Sequence, residues 1–136
     1  MDKAELKGRT KKFAVDVIRF IETLPPSRSL NILSNQILRS SSSVGANYRS
    51  ACKGKSTADF INKITIVEEE ADESLYWMEL MEESGLVEPS KLSSLKKEAN
   101  ELTAIFTAIG KTAKLNQKSK NSSPNQIRNH NSEIRN

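Results

Sequence analysis

Cysteine and histidine are almost missing from this chain: Cys52 and His130 each occur once in 136 residues. One cysteine cannot close an intramolecular disulfide, and the two together supply no Cys/His set for a zinc site. Cys52 is also a poor candidate nucleophile, because its one possible histidine partner sits in a polar stretch near the C-terminus. Aromatic residues are few, with four Phe, two Tyr and one Trp. Aliphatic side chains therefore carry most of the apolar content, which favours packed helices over a β-sandwich. No stretch approaches the roughly 18 consecutive apolar residues that suggest a membrane span. The opening MDKAELKGRTKK has no apolar segment of signal-peptide length. A cytoplasmic protein without a membrane partner is expected. A glycine-rich phosphate loop, a nucleophile elbow and a His-paired nucleophile are absent as well, so neither catalysis nor a cofactor is expected.

What the chain does have is helical periodicity, in a length suited to a single core. Phe13, Val17, Phe20, Ile21 and Leu24 form a stripe that predicts a first helix over residues 3–24. Pro25 and Pro26 end it, because proline lacks an N–H and disfavours helix in the residue before it. A second helix is expected from an N-cap at Ser29 to Lys53, with Gly54 as its C-terminal cap. A third opens at Ser56, whose hydroxyl can accept from the Asp59 N–H. It carries Phe60, Ile64, Val67, Ala71, Leu75 and Met78 on one face as far as Gly85. The fourth follows LVEPS with Leu92, Leu95, Ala99, Leu102, Phe106 and Ile109 at alternating threes and fours. Short heptad runs with short connections predict an all-α fold, an antiparallel up-down four-helix bundle over residues 1–114. Beyond Lys114 the stretch LNQKSKNSSPNQIRNHNSEIRN has no apolar period, and residues 115–136 are expected to form a disordered polar tail.

The run LRSSSSVGANYR at 38–49 resembles a linker by composition, but Leu30, Leu33, Ile37, Ser41, Val44, Tyr48 and Ala51 keep the period of one helix face. Ser34, Leu38, Ser41, Gly45 and Cys52 form a second stripe of mostly small side chains. Such a seam lets a neighbouring backbone come close, either within one bundle or at a subunit interface. Serine hydroxyls in it can bond carbonyls one turn back.

Charge is segregated beneath a net of +4. Residues 1–63 hold 12 Lys and Arg against 5 acids, whereas residues 64–88 hold 9 acids and no base. Compensation between neighbouring helices would explain this. Glu70 and Glu73 border the core stripe and need partners, for which Arg39, Asn47 and Arg49 on the second helix are candidates; Asn47 and Glu73 are expected to bridge the two helices. Glu69, Glu70 and Glu73 share one face, but the chain has neither a Glu-x-x-His motif nor a second copy of such a face, so a di-iron site is not expected.

The stretch QILRSSSSVGANYRSACKGKSTADF, followed by Gly85-Leu86-Val87, resembles the four-helix-bundle proteins related to those encoded in intervening sequences of bacterial 23S rRNA genes. The residues that carry the resemblance are Gln36, Ile37, Arg39, Ser40, Ser41, Ser43, Val44, Ala46, Asn47, Phe60 and Gly85. It covers residues 10–110. The chain departs from that pattern at Ser50 and Ala51, where the family commonly has an acid and a glycine, and in VEEEADESLYW around Glu73. The family in turn resembles accessory proteins of diversity-generating retroelements, which are basic pentameric bundles that engage nucleic acid and a reverse transcriptase. The resemblance thus implies a homo-oligomer, a pentamer above all, with a reverse transcriptase as a further partner.

Two function classes follow. One is RNA or DNA binding through Lys7, Arg9, Lys11, Lys12, Arg19, Arg49, Lys53, Lys55 and Lys63, with Lys118, Lys120 and Arg128 adding loose contacts; few aromatics are available for base stacking, so phosphate contacts would dominate. The other is a protein-interaction scaffold in which the acidic third helix meets a basic partner.

Overall fold

The structure is a computed structural model that describes residues 1–121, and in it four helices pack as a bundle. Helix α1 (Lys3–Ile21) begins in a capping box. The Glu5 N–H donates to Asp2 Oδ1 at 2.8 Å, and the Asp2 N–H donates back to Glu5 Oε1 at 3.3 Å. It ends three residues before the expected Leu24, because the N–H groups of Thr23 and Leu24 turn to the carbonyls of Phe20 and Ile21 ahead of the two prolines.

Helix α2 (Arg28–Cys52) is capped by Ser27 and not by Ser29: the Leu30 N–H donates to Ser27 Oγ at 2.9 Å, and Ser27 has extended backbone. Ser27, which follows the two prolines, has the extended backbone of a cap, and the helix begins at the next residue. At the other end Gly54 meets a need for space. A Cβ there would lie 2.8 Å from Asp59 Oδ2 and 3.0 Å from the Ala51 carbonyl oxygen. Helix α3 (Thr57–Glu83) starts at Ser56 as expected, with the Asp59 N–H donating to Ser56 Oγ at 3.1 Å. Gly85 follows it at φ 78°, a left-handed turn that suits glycine. Helix α4 (Pro89–Asn121) opens on proline, whose missing N–H has no helical partner to lose at that position. It runs seven residues past Lys114, so 115–121 are helical where a structureless tail is expected from composition. The rest of that expected tail, with Arg128 and His130, lies outside the described residues.

The core is a column of mostly aliphatic side chains that also holds Phe13, Phe20, Tyr48 and Phe106, and the Tyr48 and Phe106 rings meet edge to face at 5.3 Å. Thr10 lies against Gly45. Along α3, Ile64, Glu68 and Glu82 meet Gly110, Thr107 and Lys96 of α4 in turn, so partner numbers fall in one helix as they rise in the other. Contact is most extensive between α2 and α3 and between α3 and α4, and thinnest between α1 and α4.

The serine run is the inside of a helix. Ser40 and Ser41 are fully buried. Ser40 Oγ lies 2.8 Å from Ser74 Oγ across the α2–α3 contact, and each is also within hydrogen-bonding distance of a carbonyl of its own helix, at Ile37 and Glu70, so one hydroxyl donates to the other, which donates to its own helix. On the adjoining side, a Cβ on Gly45 would come 3.3 Å from Thr10 Oγ1, tighter than ordinary contact. Ser41, one turn earlier, has no space for a larger group. Replacing Ser41 by Leu is expected to lower stability by about 1–3 kcal/mol through overpacking; an unchanged denaturation midpoint would show that this seam is not close-packed.

Burial pushes the Tyr48 hydroxyl pKa well above its ordinary 10.0, and neighbouring Cys52 adds to the shift. Above pH 10.0 the unfolded tyrosine gives up a proton that the folded one retains, so rising pH favours unfolding. While the two states differ by a whole proton, stability falls by about 1.4 kcal/mol per pH unit from this group. The Tyr48→Phe protein should lose stability less steeply than wild type above pH 10, as followed by denaturant melts. Parallel curves for the two proteins would contradict the burial of a neutral hydroxyl.

Candidate nucleic-acid interface

Of the acids of α3, Glu68, Glu70, Glu73 and Glu82 meet partners inside the bundle, whereas Glu69, Asp72, Glu79 and Glu83 have no such partner among the described residues. Arg39 of α2 reaches both Glu70, at 3.3 Å, and Glu73. Glu73 also accepts from the Trp77 indole N–H at 3.0 Å. Glu68 accepts from the Thr107 hydroxyl at 2.7 Å, and Glu82 pairs with Lys96 at 2.9 Å, which raises the Lys96 pKa. Asn47 is not the bridge to Glu73. Its amide donates to the Ser43 carbonyl at 2.8 Å within α2, because a short side chain finds its own helix before it can span to the next.

The cations named from sequence do not form a single surface. Arg9 is committed to α4, where its Nε donates to Glu98 at 2.7 Å and its Nη2 to both Glu98 and Glu101. The hydrogen bond to Glu98, more than the one to Glu101, raises the Arg9 pKa further. This clamp sits in an open groove of about 450 Å³ along the thin α1–α4 contact, where Asp16, Glu98 and Glu101 interleave with Lys12 and Lys97. A groove of mixed sign does not suit a polyanion. Lys12 pairs with Asp16 at 2.6 Å and Lys63 with Asp59 at 3.8 Å. Lys11 lies on the exposed side of α1, and Arg19 lies near its far end, beside Phe20, Thr23 and Lys91.

The others gather where α2 passes into α3. Arg49, Lys53 and Lys55 occupy the last turn of α2 and the loop after it, and the first turns of α1, with Lys7, lie on the same side, since Asp2 is close enough to act on Tyr48. The end of α4 reaches this region too, with Phe60 of α3 lying against Ile109, Ala113 and Asn116. It brings four exposed lysines that the sequence reading either passed over or assigned to a tail: Lys111, Lys114, Lys118 and Lys120. The spacing of Lys111, Lys114 and Lys118 by three and four was the available signal, since it puts them on one helix face. Among the described residues, Lys7, Arg49, Lys53, Lys55 and these four lysines enter no ion pair.

Among the described residues no group of three His, Cys, Asp or Glu side chains is placed to hold a metal, and no described helix is long and apolar enough to cross a membrane. The contact of Arg39 with Glu73 is open to a direct check. Alanine at both positions in a double-mutant cycle should give a coupling of about 0.2–1 kcal/mol that shrinks with added salt, as for other half-exposed pairs. Asn47→Ala should show no coupling to Glu73, and a coupling larger than that of Arg39 would reverse the assignment.

A comparison with curated proteins finds no match. Among solved structures, the chain is similar to a crystal structure described as a protein with unknown function from the S23 ribosomal protein family from Bacteroides thetaiotaomicron. The two are 33% identical with a TM-score of 0.75, over 82% of this chain and 99% of that one. The family described as 23S rRNA-intervening sequence protein matches residues 3–108, close to the span expected from the Gln36–Asn47 segment and Gly85. With that match over most of its length and the Gln36–Asn47 segment on α2, this chain belongs to the 23S rRNA-intervening sequence protein family.

Proposed function

We propose that this protein is a non-catalytic, cytoplasmic antiparallel up-down bundle that self-associates and binds RNA or DNA through its phosphates. The observation that carries the reading is the separation of charges after folding. The acids Glu68, Glu70, Glu73 and Glu82 have partners within the bundle, whereas Lys7, Arg49, Lys53 and Lys55 of the first two helices and their loop stay free of ion pairs among the described residues, joined by the lysines of α4. This favours a basic binding surface over a scaffold presenting an acidic third helix. The falling partner numbers between α3 and α4 support the antiparallel arrangement. Self-association is supported by Val15, Ile18, Ile32 and Leu38, apolar side chains that α1 and α2 leave between 37% and 58% exposed; the family resemblance favours a pentamer. The family's description, which names 23S rRNA, is consistent with a polyanionic ligand.

Light scattering at micromolar concentration should give a mass several times 15.2 kDa, and a monomer alone would count against the assembly. Affinity for nucleic acid should fall with salt at a slope of about −0.7 to −0.9 per phosphate neutralised. Reversing the charges of Arg49, Lys53 and Lys55 should weaken binding to all sequences about equally, because phosphate contacts carry little sequence information. If the assembled protein binds neither structured RNA, single strands nor duplex DNA at low salt, the scaffold reading replaces this one.

A further inference from the structure

Two outward faces of the bundle expose apolar side chains, and the charges beside them are of opposite sign. On α1, Lys11, Val15 and Ile18 follow one another at four and three residues and are all exposed, so they share one face, with exposed Arg19 next in the chain. Lys11 and Arg19 enter no ion pair among the described residues. Glu22 continues the same line but follows the helix as its cap. On α3, Ile66, Glu69, Asp72 and Tyr76 follow at three, three and four residues and are likewise exposed. Neither Glu69 nor Asp72 has an ion pair among the described residues.

Tyr76 is 51% exposed yet braced: its ring meets Trp77 edge to face at 5.2 Å, the Trp77 indole N–H donates to Glu73, and Arg39 ties Glu73 to α2. An aromatic side chain held in place before contact loses little freedom when a partner covers it. Nucleic acid does not suit this face, because Glu69 and Asp72 repel phosphates. The partner that fits is apolar with cations beside it, and the outward face of α1 has that chemistry.

Helices α1 and α3 do not touch each other: α1 packs on α2 and α4, and so does α3. The two therefore sit at opposite corners of the bundle, and their outward faces look in opposite directions. We propose that the outward face of α1 in one copy docks on the outward face of α3 in the next, with Val15 and Ile18 against Ile66 and Tyr76, and with Lys11 and Arg19 meeting Glu69 and Asp72. The inference rests on the self-association in the reading above and states which surfaces meet. A contact of like faces would set Lys11 against Lys11, or Glu69 against Glu69, and such juxtaposition opposes binding. A contact of unlike faces is heterologous, and each copy then uses one face for each neighbour around a closed ring.

The test uses the full-length protein and two variants at exposed positions, Ile18→Glu on α1 and Tyr76→Lys on α3, with mass read by light scattering and folding by circular dichroism. Each variant alone should fall from the wild-type mass to a 15.2 kDa monomer, since a heterologous assembly needs both faces of every copy. Mixed in equal amounts, the two should form a complex of at least twice 15.2 kDa, because the first keeps its α3 face and the second its α1 face. Should either variant lose its helical signal, Lys11→Glu or Glu69→Lys replaces it on the same face. If wild type assembles and either variant alone still does so, the inference is overturned while self-association stands. The same holds if both variants are monomers and remain so when mixed. A wild-type protein that is monomeric at micromolar concentration overturns the self-association reading as well.

Discussion

The close approach of α2 to both of its neighbours is the constraint on which the other features depend. On one side Ser40 and Ser74 let α2 and α3 come together with a hydroxyl pair at 2.8 Å in a fully buried position. On the other, Gly45 leaves just enough room for Thr10. Buried hydroxyls are costly only when unpaired. Here each serine also has a carbonyl of its own helix, so the polar seam is satisfied without water. A pair of leucines at the same place would hold the helices further apart.

That proximity governs the charge distribution. Helix α3 carries a run of acids that would repel one another and attract cations if it stood alone. Packed tightly between α2 and α4, it finds Arg39 on one side and Thr107 and Lys96 on the other. Each of these contacts is partly exposed and individually modest in energy. Together they offset Glu68, Glu70, Glu73 and Glu82, while the lysines after α2 and along the end of α4 are left unmatched among the described residues. A net charge of only +4 can in this way produce a strongly basic end.

Much of this was legible in the sequence, and the misses have physical reasons. Periodicity found all four helices and most of their buried faces, because the apolar stripes of α3 and α4 are long enough to outweigh local composition. It also placed the serine run inside a helix against its linker-like composition. Boundaries were less secure: Ser27 and Ser29 are equally good caps by residue type, and only the extended backbone of Ser27 decides between them. The end of α4 was misjudged because Asn, Gln and Ser lower helix propensity without breaking it, and seven further residues continue the helix despite the polar composition. Among the candidate polar contacts, Arg39 was named together with Asn47, and reach separates them, since a long guanidinium spans two helices where a carboxamide turns back on its own.

Phe60 shows where residue pattern alone must stop. In sequence it is one more member of a core stripe, in phase with Ile64, Val67 and Ala71, and nothing local marks it as different. Its environment is set by where a different helix ends: α1 covers the core as far as Leu6 and begins at Lys3, while α3 and α4 continue together. A residue in phase with the core is thereby left half-buried at an opening that it shares with Ile109, Ala113 and Asn116 of α4. Helix lengths, set by a capping box at Asp2 at one terminus and by the absence of a stop signal after Gly110 at the other, decide which core positions become surface. In a bundle of unequal helices, the unmatched ends are where apolar side chains meet solvent and charge without loss of the core.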